Sequence, residues 1–261
     1  LGTVCNNLGD FIIGAKYTSA DLAYYTKGKQ LPTLIKSNIY TSLISVLFPG
    51  MSKINDEGEK VKALSRKSIR VLTYIIYPLM TGLLVVAEPL TIFLYTEKWI
   101  AMVPFVWVVC IEAIFSVPGT ITLQSVKAMG YSDKMLKAEI FKKPILILSI
   151  IIAMQYGVMA IALTLPLNTL LEFVINGVMA HKTVDYSIRE QLWDCLPATI
   201  MSVLMGAGVL LVAHLPLGLG TIALLFVEIL VGIVIYVLLS VITRNEEFMA
   251  LASMAKQYLK R

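Results

Sequence analysis

The sequence predicts an all-α fold, a polytopic membrane bundle of about eight transmembrane helices. The 261 residues are 57% hydrophobic and 15% charged, whereas soluble domains are typically about 25% charged. Of the 22 Lys and Arg residues, 17 fall in every second segment between eight apolar stretches. Lys and Arg near the ends of spans are retained on the cytoplasmic side. The alternation therefore predicts a chain that crosses the membrane eight times, with both ends in the cytoplasm.

The apolar stretches have roughly the length that a spanning helix needs, because about 20 residues cross about 30 Å of hydrocarbon. We predict spans at roughly 1–16, 32–51, 71–95, 100–126, 144–156, 158–180, 195–213 and 217–243. Glu88-Pro89 is expected to break the third span near its end, since proline cannot donate a helical hydrogen bond. The fifth stretch is short unless its helix begins earlier, near Leu136.

The C-terminal segment 244–261 has a helical pattern of its own. Apolar residues recur there at helical spacing, with basic residues opposite: Phe248, Leu251, Ala252, Ala255 and Leu259 against Lys256, Lys260 and Arg261. Such a pattern is typical of a helix that lies on the inner leaflet. The alternative is a frayed polar terminus.

The composition also argues against several classes of function. The net charge of +5 is concentrated at span ends, where basic residues meet anionic lipid headgroups, so we predict no nucleic-acid partner. The sequence has no phosphate-binding glycine loop, no metal-ligand spacing and no Ser-His-Asp set. We therefore predict no cofactor, no metal and no catalytic residues, and a transporter rather than an enzyme. The chain begins at Leu1 without a charged leader, so we expect it to start partway through a longer protein.

Polar residues inside the first predicted span are the first candidates for a functional site. Asn6 and Asp10 are four residues apart and share a helix face, and Asn7 is adjacent to it. Three polar groups in five residues exceed what packing usually needs, which favours a hydrated substrate cavity. The alternative is hydrogen bonding between helices.

Carboxyl groups deep in other spans are the second set of candidates. In the sixth span Asn168, Glu172 and Asn176 recur at every fourth residue, and Glu112 lies in the middle of the fourth span. Ionisable groups in hydrocarbon are costly, so each is a functional hypothesis. We predict that the two asparagines line the cavity and that Glu112 and Glu172 couple transport to an ion; neutral acids bonded to a backbone carbonyl are the alternative. For Glu228, in the eighth span, the neutral acid is the favoured interpretation.

Lys36, a turn inside the second span, is the candidate cation. With Lys27 and Lys29 it could form a cationic mouth that attracts an anionic lipid headgroup. The alternative is a lysine that extends its ammonium group to the membrane interface.

Several short segments resemble, in order and spacing, the second half of Wzx-type polysaccharide flippases, a group related to multidrug-extrusion (MATE) proteins and lipid II flippases. They are Asn6-Asn7-Leu8-Gly9-Asp10-Phe11-Ile12-Ile13-Gly14, Leu22-Ala23-Tyr24-Tyr25, Leu47-Phe48-Pro49-Gly50-Met51-Ser52, Glu88-Pro89-Leu90 with Glu97-Lys98-Trp99, and Ala128-Met129-Gly130-Tyr131-Ser132-Asp133. The colanic-acid and teichuronic-acid exporter branch is the most similar, over residues 1 to about 145. Thr96 departs from the pattern, because the family often has Gly there.

The resemblance implies two six-helix lobes around a central cavity, with two extra helices in some branches. We therefore expect the second six-helix lobe over 1–180, an additional two-helix hairpin over 181–243 and a cytoplasmic amphipathic tail over 244–261. The missing N-terminal lobe of the same chain would be a partner.

The resemblance also implies a function: export of undecaprenyl-diphosphate-linked oligosaccharide or polysaccharide repeat units across the bacterial inner membrane by alternating access. The partners implied are this lipid-linked glycan, membrane lipids and glycan polymerase or assembly proteins. In that frame Asn6, Asn7 and Asp10 would contact sugar hydroxyls, and Lys36 would help to neutralise the diphosphate. A cation-coupled multidrug or small-molecule antiporter and a non-transporting scaffold subunit of a glycan-assembly complex stay open as alternatives.

Overall fold

The protein is described here from a computed structural model, which describes residues 7–54, 57–216, 220–249 and 253. The described helices follow one another with short connections, and one 3₁₀ helix, Glu97–Met102, lies among them. In chain order they are α1 (Leu8–Lys16), α2 (Ser19–Ser52), α3 (Gly58–Val85), α4 (Ala87–Tyr95), α5 (Val103–Ala128), α6 (Ser132–Ala153), α7 (Val158–Val184), α8 (Ile188–Ala213) and α9 (Thr221–Ile242). The predicted fold class, a polytopic helical membrane bundle, is confirmed.

Six helical segments among the described residues are long and apolar enough to cross a membrane. They contain α2, α3, α5, α7, α8 and α9. Of these helices, α8 begins earlier than predicted, at Ile188. The first predicted span includes residues 1–6, which lie outside the described part, and the fifth corresponds to α6. That helix begins at Ser132, before the Leu136 that we expected, and its first half is rich in charge. The number of eight spans stays a prediction.

Helix α2 differs most from its predicted bounds. The segment 17–31 was expected to be an external connector, but the helix already begins at Ser19. A capping box starts it: Thr18 Oγ1 accepts a hydrogen bond from the Asp21 N–H at 3.2 Å, and the Asp21 carboxylate accepts one from the Thr18 N–H at 3.2 Å. Because of this early start, Lys36 lies midway along the helix rather than one turn from its end.

The third predicted span breaks where the sequence indicated. Helix α3 ends at Val85, and α4 begins again at Ala87 with Pro89 in its first turn. Helix α4 then ends at Thr96, whose φ of 75° lies in the left-handed region that favours glycine. The position at which the resemblance led us to expect Gly is therefore occupied by a threonine with a positive φ.

Helix α5 is the centre of the bundle, because it packs against α2, α3 and α7. Its most extensive contact is with α7. A Cβ atom at Gly119 would lie 3.2 Å from Phe173 Cα, so the absence of a side chain there lets the two helices approach closely. The main apolar core lies around α5, with Cys110, Ala113 and Val117 all fully buried.

The last two helices form a hairpin that packs on α3. Tyr236 on α9 donates a hydrogen bond to the Tyr74 carbonyl at 2.8 Å, and the Tyr74 hydroxyl is 2.9 Å from Ser240 Oγ. Phe248, from the predicted tail, packs against the same cluster. Most of that tail, 250–252 and 254–261, lies outside the described residues, so the surface helix stays a prediction.

Candidate functional site

A single ion pair joins the middle of α2 to the middle of α5. Lys36 Nζ lies 2.6 Å from Glu112 Oε2, and the side chains are 18% and 14% exposed. The other oxygen, Glu112 Oε1, accepts a hydrogen bond of 3.2 Å from Thr169 Oγ1 on α7. The predicted cation and one predicted ion-coupling carboxyl therefore meet, 76 residues apart in sequence. Each supplies the countercharge that the other needs at this depth.

A second ion pair joins α1 to α2. Lys29 Nζ lies 2.7 Å from Asp10 Oδ1, and the ammonium group sits 4.3 Å from the ring centre of Tyr25. The ring and the carboxylate both stabilise the positive charge. Asn7 is exposed beside this pair, and Asn6 lies outside the described residues. Asn7, Asp10 and Lys29 line an open groove between the two helices.

The exposed side of α2 carries a row of small polar side chains, which we name the α2 polar stripe. Its members share one helix face and are all exposed: Thr33, Ser37, Asn38, Thr41, Ser42 and Ser45. Three of the hydroxyls donate to carbonyl groups of their own helix, at 2.8 to 3.1 Å. Their oxygen lone pairs therefore stay available to water or to a ligand.

Sequence reasoning missed most of this stripe, although a signal for it was present. Thr33, Ser37, Thr41 and Ser45 recur at every fourth residue. Small hydroxyl residues are well tolerated inside membrane helices, so the sequence does not distinguish this row from an ordinary span. Its significance comes from exposure, which the sequence alone does not give.

The polar residues of α7 separate into two groups. Asn168 donates hydrogen bonds to Ser149 Oγ on α6 at 3.0 Å and to the Thr164 carbonyl at 2.8 Å. Asn176 is only 2% exposed and donates to the Gly119 carbonyl at 3.1 Å. Asn168 thus borders the cavity described next, whereas Asn176 is enclosed between helices.

A cavity of about 230 Å³ opens between α1, α2, α5, α6 and α7. Its polar lining comprises Tyr25, Glu112, Thr164, Asn168, Thr169 and Glu172. Glu112 is paired with Lys36, while Glu172 makes no salt bridge within the described part of the chain. The two predicted ion-coupling carboxyls therefore line one cavity. Among the described residues no group of three or more His, Cys, Asp or Glu side chains could hold a metal ion.

A separate charged cluster, which sequence reasoning also missed, joins α3 to α8. The Asp194 side chain is 1% exposed and accepts hydrogen bonds from Arg66 Nε at 2.8 Å, Arg70 Nε at 2.9 Å and the Tyr186 hydroxyl at 2.8 Å. Burial and the nearby Asp194 charge raise the pKa of the Tyr186 hydroxyl, which keeps it a neutral donor. This cluster fixes the start of the hairpin to the bundle, away from the cavity.

Comparisons with known proteins find similarity to proteins of polysaccharide biosynthesis. The family model described as "Polysaccharide biosynthesis protein" matches residues 1–104. The chain is 29% identical over 136 residues to the lipopolysaccharide biosynthesis protein WzxC of Escherichia coli K12, a match that covers 52% of this chain and 27% of WzxC. It is 30% identical over 108 residues to a membrane protein in the cps region of Klebsiella pneumoniae, covering 41% of this chain and 20% of that protein.

Over part of its length the chain is similar to a lipopolysaccharide biosynthesis protein and to a membrane protein of a cps region. A solved structure of the lipid II flippase MurJ in an inward closed conformation shares the fold, with a TM-score of 0.72 at 18% identity. That superposition covers 93% of this chain and 52% of MurJ. The chain thus spans about half of MurJ and about a quarter or less of the two curated relatives. It is a multi-pass bacterial membrane protein whose relatives are membrane proteins of polysaccharide biosynthesis.

Proposed function

We propose that this chain is the second half of a transporter that flips undecaprenyl-diphosphate-linked oligosaccharide or polysaccharide repeat units across the bacterial inner membrane. In this proposal the six-helix lobe covers 1–180, the additional hairpin 181–243 and the cytoplasmic tail 244–261. The similarity to the lipopolysaccharide biosynthesis protein WzxC and the fold shared with about half of the lipid II flippase MurJ support the proposal.

One observation carries it: a row of exposed polar side chains, the α2 polar stripe, runs along a membrane helix beside a paired lysine. Hydrocarbon does not satisfy hydroxyl and amide groups, so this face borders water or a polar cargo. Sugars present hydroxyls that both donate and accept hydrogen bonds, which matches the chemistry of Ser, Thr and Asn side chains. Asn7 and Asp10 line the same groove as Thr33 and Ser37 of the stripe.

Lys36 is the proposed partner of the diphosphate. In the structure it is neutralised by Glu112, so binding an anionic headgroup requires Lys36 to exchange one anion for another. Thr169 would keep the Glu112 carboxylate hydrogen-bonded after this exchange. Phosphate oxygens and the Glu112 carboxylate would therefore compete for the same ammonium group.

Alternating access needs a second lobe against which this half can move. The α2 polar stripe would face that lobe across the cavity, where glycan passes between them. We also propose that glycan polymerase or assembly proteins act on the exported product.

A cation-coupled antiporter is the second candidate, and one observation favours it. Glu172 lines the same cavity as Glu112 and makes no salt bridge among the described residues. Such an acid could bind a cation or a proton. In the antiporter, Glu172 would be indispensable and Lys36 would serve only to balance Glu112.

The test is surface-glycan display by cells that carry the complete gene product. Lys36→Ala should reduce display at least tenfold, whereas Lys36→Arg should retain most of it, because the charge is kept. The matched control is Lys60→Ala, which removes an exposed lysine in the first turn of α3 that pairs with Glu57 at 2.6 Å, and it should leave display unchanged.

Exchanging the two charges separates pairing from cargo binding. If Lys36 only balances Glu112, the double variant Lys36→Glu with Glu112→Lys should restore display. If Lys36 must meet the diphosphate from α2, the double variant should remain defective although it is folded. Normal display in Lys36→Ala cells, together with loss of drug efflux in Glu172→Gln cells, would replace the flippase by the antiporter.

A further inference from the structure

An apolar groove of about 430 Å³ lies between the hairpin and the rest of the bundle, separate from the polar cavity. Helices α2, α3 and α4 form one wall and α8 and α9 the other. Its lining comprises Leu31, Ile35, Pro78, Leu79, Gly82, Leu83, Val86, Leu90, Leu94, Met205, Val209, Glu228, Ile229, Gly232 and Ile233. Glu228 is the single titratable or charged side chain among these described residues, and each of the five helices otherwise contributes only apolar groups.

The Glu228 carboxyl group has no compensation for a negative charge. The residue is 3% exposed, and its Oε2 atom is buried without a hydrogen-bond partner among the described residues. No salt bridge within the described part of the chain involves it. One turn further along α9, Gly232 packs against Val209 and Met205, so the surroundings are tight as well as apolar. A carboxylate at such a site is costly, whereas a protonated carboxylic acid is not.

We propose that Glu228 is a proton-binding site at the seam, the contact between the hairpin and the bundle. While Glu228 is protonated, the hairpin is seated, that is, packed against the bundle. When Glu228 is ionised, this contact loosens. The reasoning does not depend on what the protein transports. An ionised Glu228 would leave an unpaired charge between the two walls of the groove. Water can relieve that cost only by entering between them, so loss of the proton should loosen the contact of α9 with α3 and α8.

Labelling with an apolar carbodiimide tests for the protonated acid. The carboxyl proton passes to one carbodiimide nitrogen while the carboxyl oxygen adds to the central carbon. The resulting O-acylisourea then rearranges by acyl transfer to a stable N-acylurea, so the adduct contains every atom of both reactants. Dicyclohexylcarbodiimide enters hydrocarbon, whereas a water-soluble carbodiimide with a charged group does not.

In membranes containing the whole chain, dicyclohexylcarbodiimide should modify Glu228 more at mildly acidic than at alkaline pH, as read by peptide mass spectrometry. The water-soluble reagent should modify the exposed Glu88 but not Glu228. Glu228→Gln should remove the adduct, and Glu88→Gln should leave it unchanged. Absence of a Glu228 adduct while the same reagent modifies Glu172, or an adduct that does not change with pH, would overturn the proposal.

Seating of the hairpin is read from Val209, which is 2% exposed and lines the groove. We compare the rate at which a membrane-permeant maleimide alkylates Val209→Cys with the rate in the double variant Val209→Cys with Glu228→Gln. As the pH rises, the rate should increase severalfold more in the single variant than in the double variant. Comparing the two at each pH removes the ordinary pH dependence of the thiol. Equal rates in both variants would show that Glu228 does not control the seam. If Glu228→Gln does not accumulate, Glu228→Asp serves as the second variant and should keep the pH dependence.

Discussion

Two helices of this molecule expose long faces of opposite chemistry. On α2 the exposed row is polar and contains Thr33, Ser37, Asn38, Thr41, Ser42 and Ser45. On α9 it is apolar and contains Ile222, Phe226, Leu230, Ile233, Val234, Val237, Leu238, Val241 and Ile242. Both helices are long and apolar enough to span a membrane. Their exposed faces must therefore meet different surroundings, lipid for α9 and water or a polar cargo for α2.

The charged groups follow the same division. On the polar side, Lys36–Glu112 and Asp10–Lys29 are single pairs that border open space, so a ligand can compete for them. At the base of the hairpin, Asp194 is enclosed by two arginines and a tyrosine. The first arrangement suits exchange of partners, whereas the second suits a permanent joint.

The largest expected effect comes from placing one charge on each exposed face. Leu230→Lys puts an ammonium group against lipid near the middle of α9, at a cost of about 3 kcal/mol for insertion, or roughly a hundredfold in the inserted fraction. Thr41→Lys on the α2 polar stripe should insert nearly as well as the parent chain. Glycosylation-site mapping of membrane insertion measures both. Equal insertion penalties for the two variants would contradict the assignment of the α9 face to lipid and the α2 face to water or a polar cargo.

A smaller effect is expected at the joint that holds the hairpin. Asp194→Asn leaves Arg66 and Arg70 without their shared carboxylate. Because both arginine side chains are more than a third exposed, we expect a loss of about 2 kcal/mol in the free energy of unfolding rather than the full cost of a buried pair. Denaturant unfolding in detergent micelles measures it. Glu190→Gln, which loses a more exposed pair with Lys62 at 3.0 Å, is the matched control and should cost less.

Thr96 lies far from both faces and has a φ of 75°. Because glycine adopts this φ without strain, Thr96→Gly should raise the free energy of unfolding by about 1 kcal/mol. Thermal unfolding of Thr96→Gly, with Thr91→Gly as control inside α4, gives the comparison. The control should be destabilised, since its hydroxyl bonds to the Ala87 carbonyl at 2.7 Å. A Thr96→Gly protein less stable than the parent would contradict the backbone geometry described here.

The smallest effect on stability is expected on the α2 polar stripe itself. Ser37→Ala and Thr41→Ala remove exposed hydroxyls, and we expect changes below about 0.5 kcal/mol in the free energy of unfolding. Glycan display in the complete gene product should fall severalfold when both are combined, because the proposed role is contact with cargo. A large loss of stability with unchanged display would make the stripe a packing surface instead.

Much of the fold could be predicted from hydropathy, because a bilayer fixes the length and composition of its helices. The break at Pro89 and the early start of α6 were also predictable. The start of α2 at Ser19 was not, since Lys27, Lys29 and Gln30 make 17–31 look like a connector. A capping box and ion pairing on the polar side keep that segment helical.

The sequence predicted individual residues of the candidate site but not their contacts with one another. Lys36 and Glu112 each stood out as an ionisable group inside a span, but their pairing depends on how α2 crosses α5 and is not visible in sequence. Asp194 was overlooked because it lies near the end of an apolar stretch, where a charge is unremarkable. The α2 polar stripe is exposed because no helix among the described residues covers it, and only the assembled bundle reveals this.

The central claim is that the exposed face of α2 borders water at membrane depth. Cysteine scanning with a membrane-impermeant maleimide in a Cys5→Ala background tests it directly, and the native Cys110 and Cys195 give little background because both are buried. The account predicts fast labelling at Ser37→Cys and Thr41→Cys and none at Leu230→Cys on α9. Labelling of the α2 positions as slow as that of Leu230→Cys would contradict it.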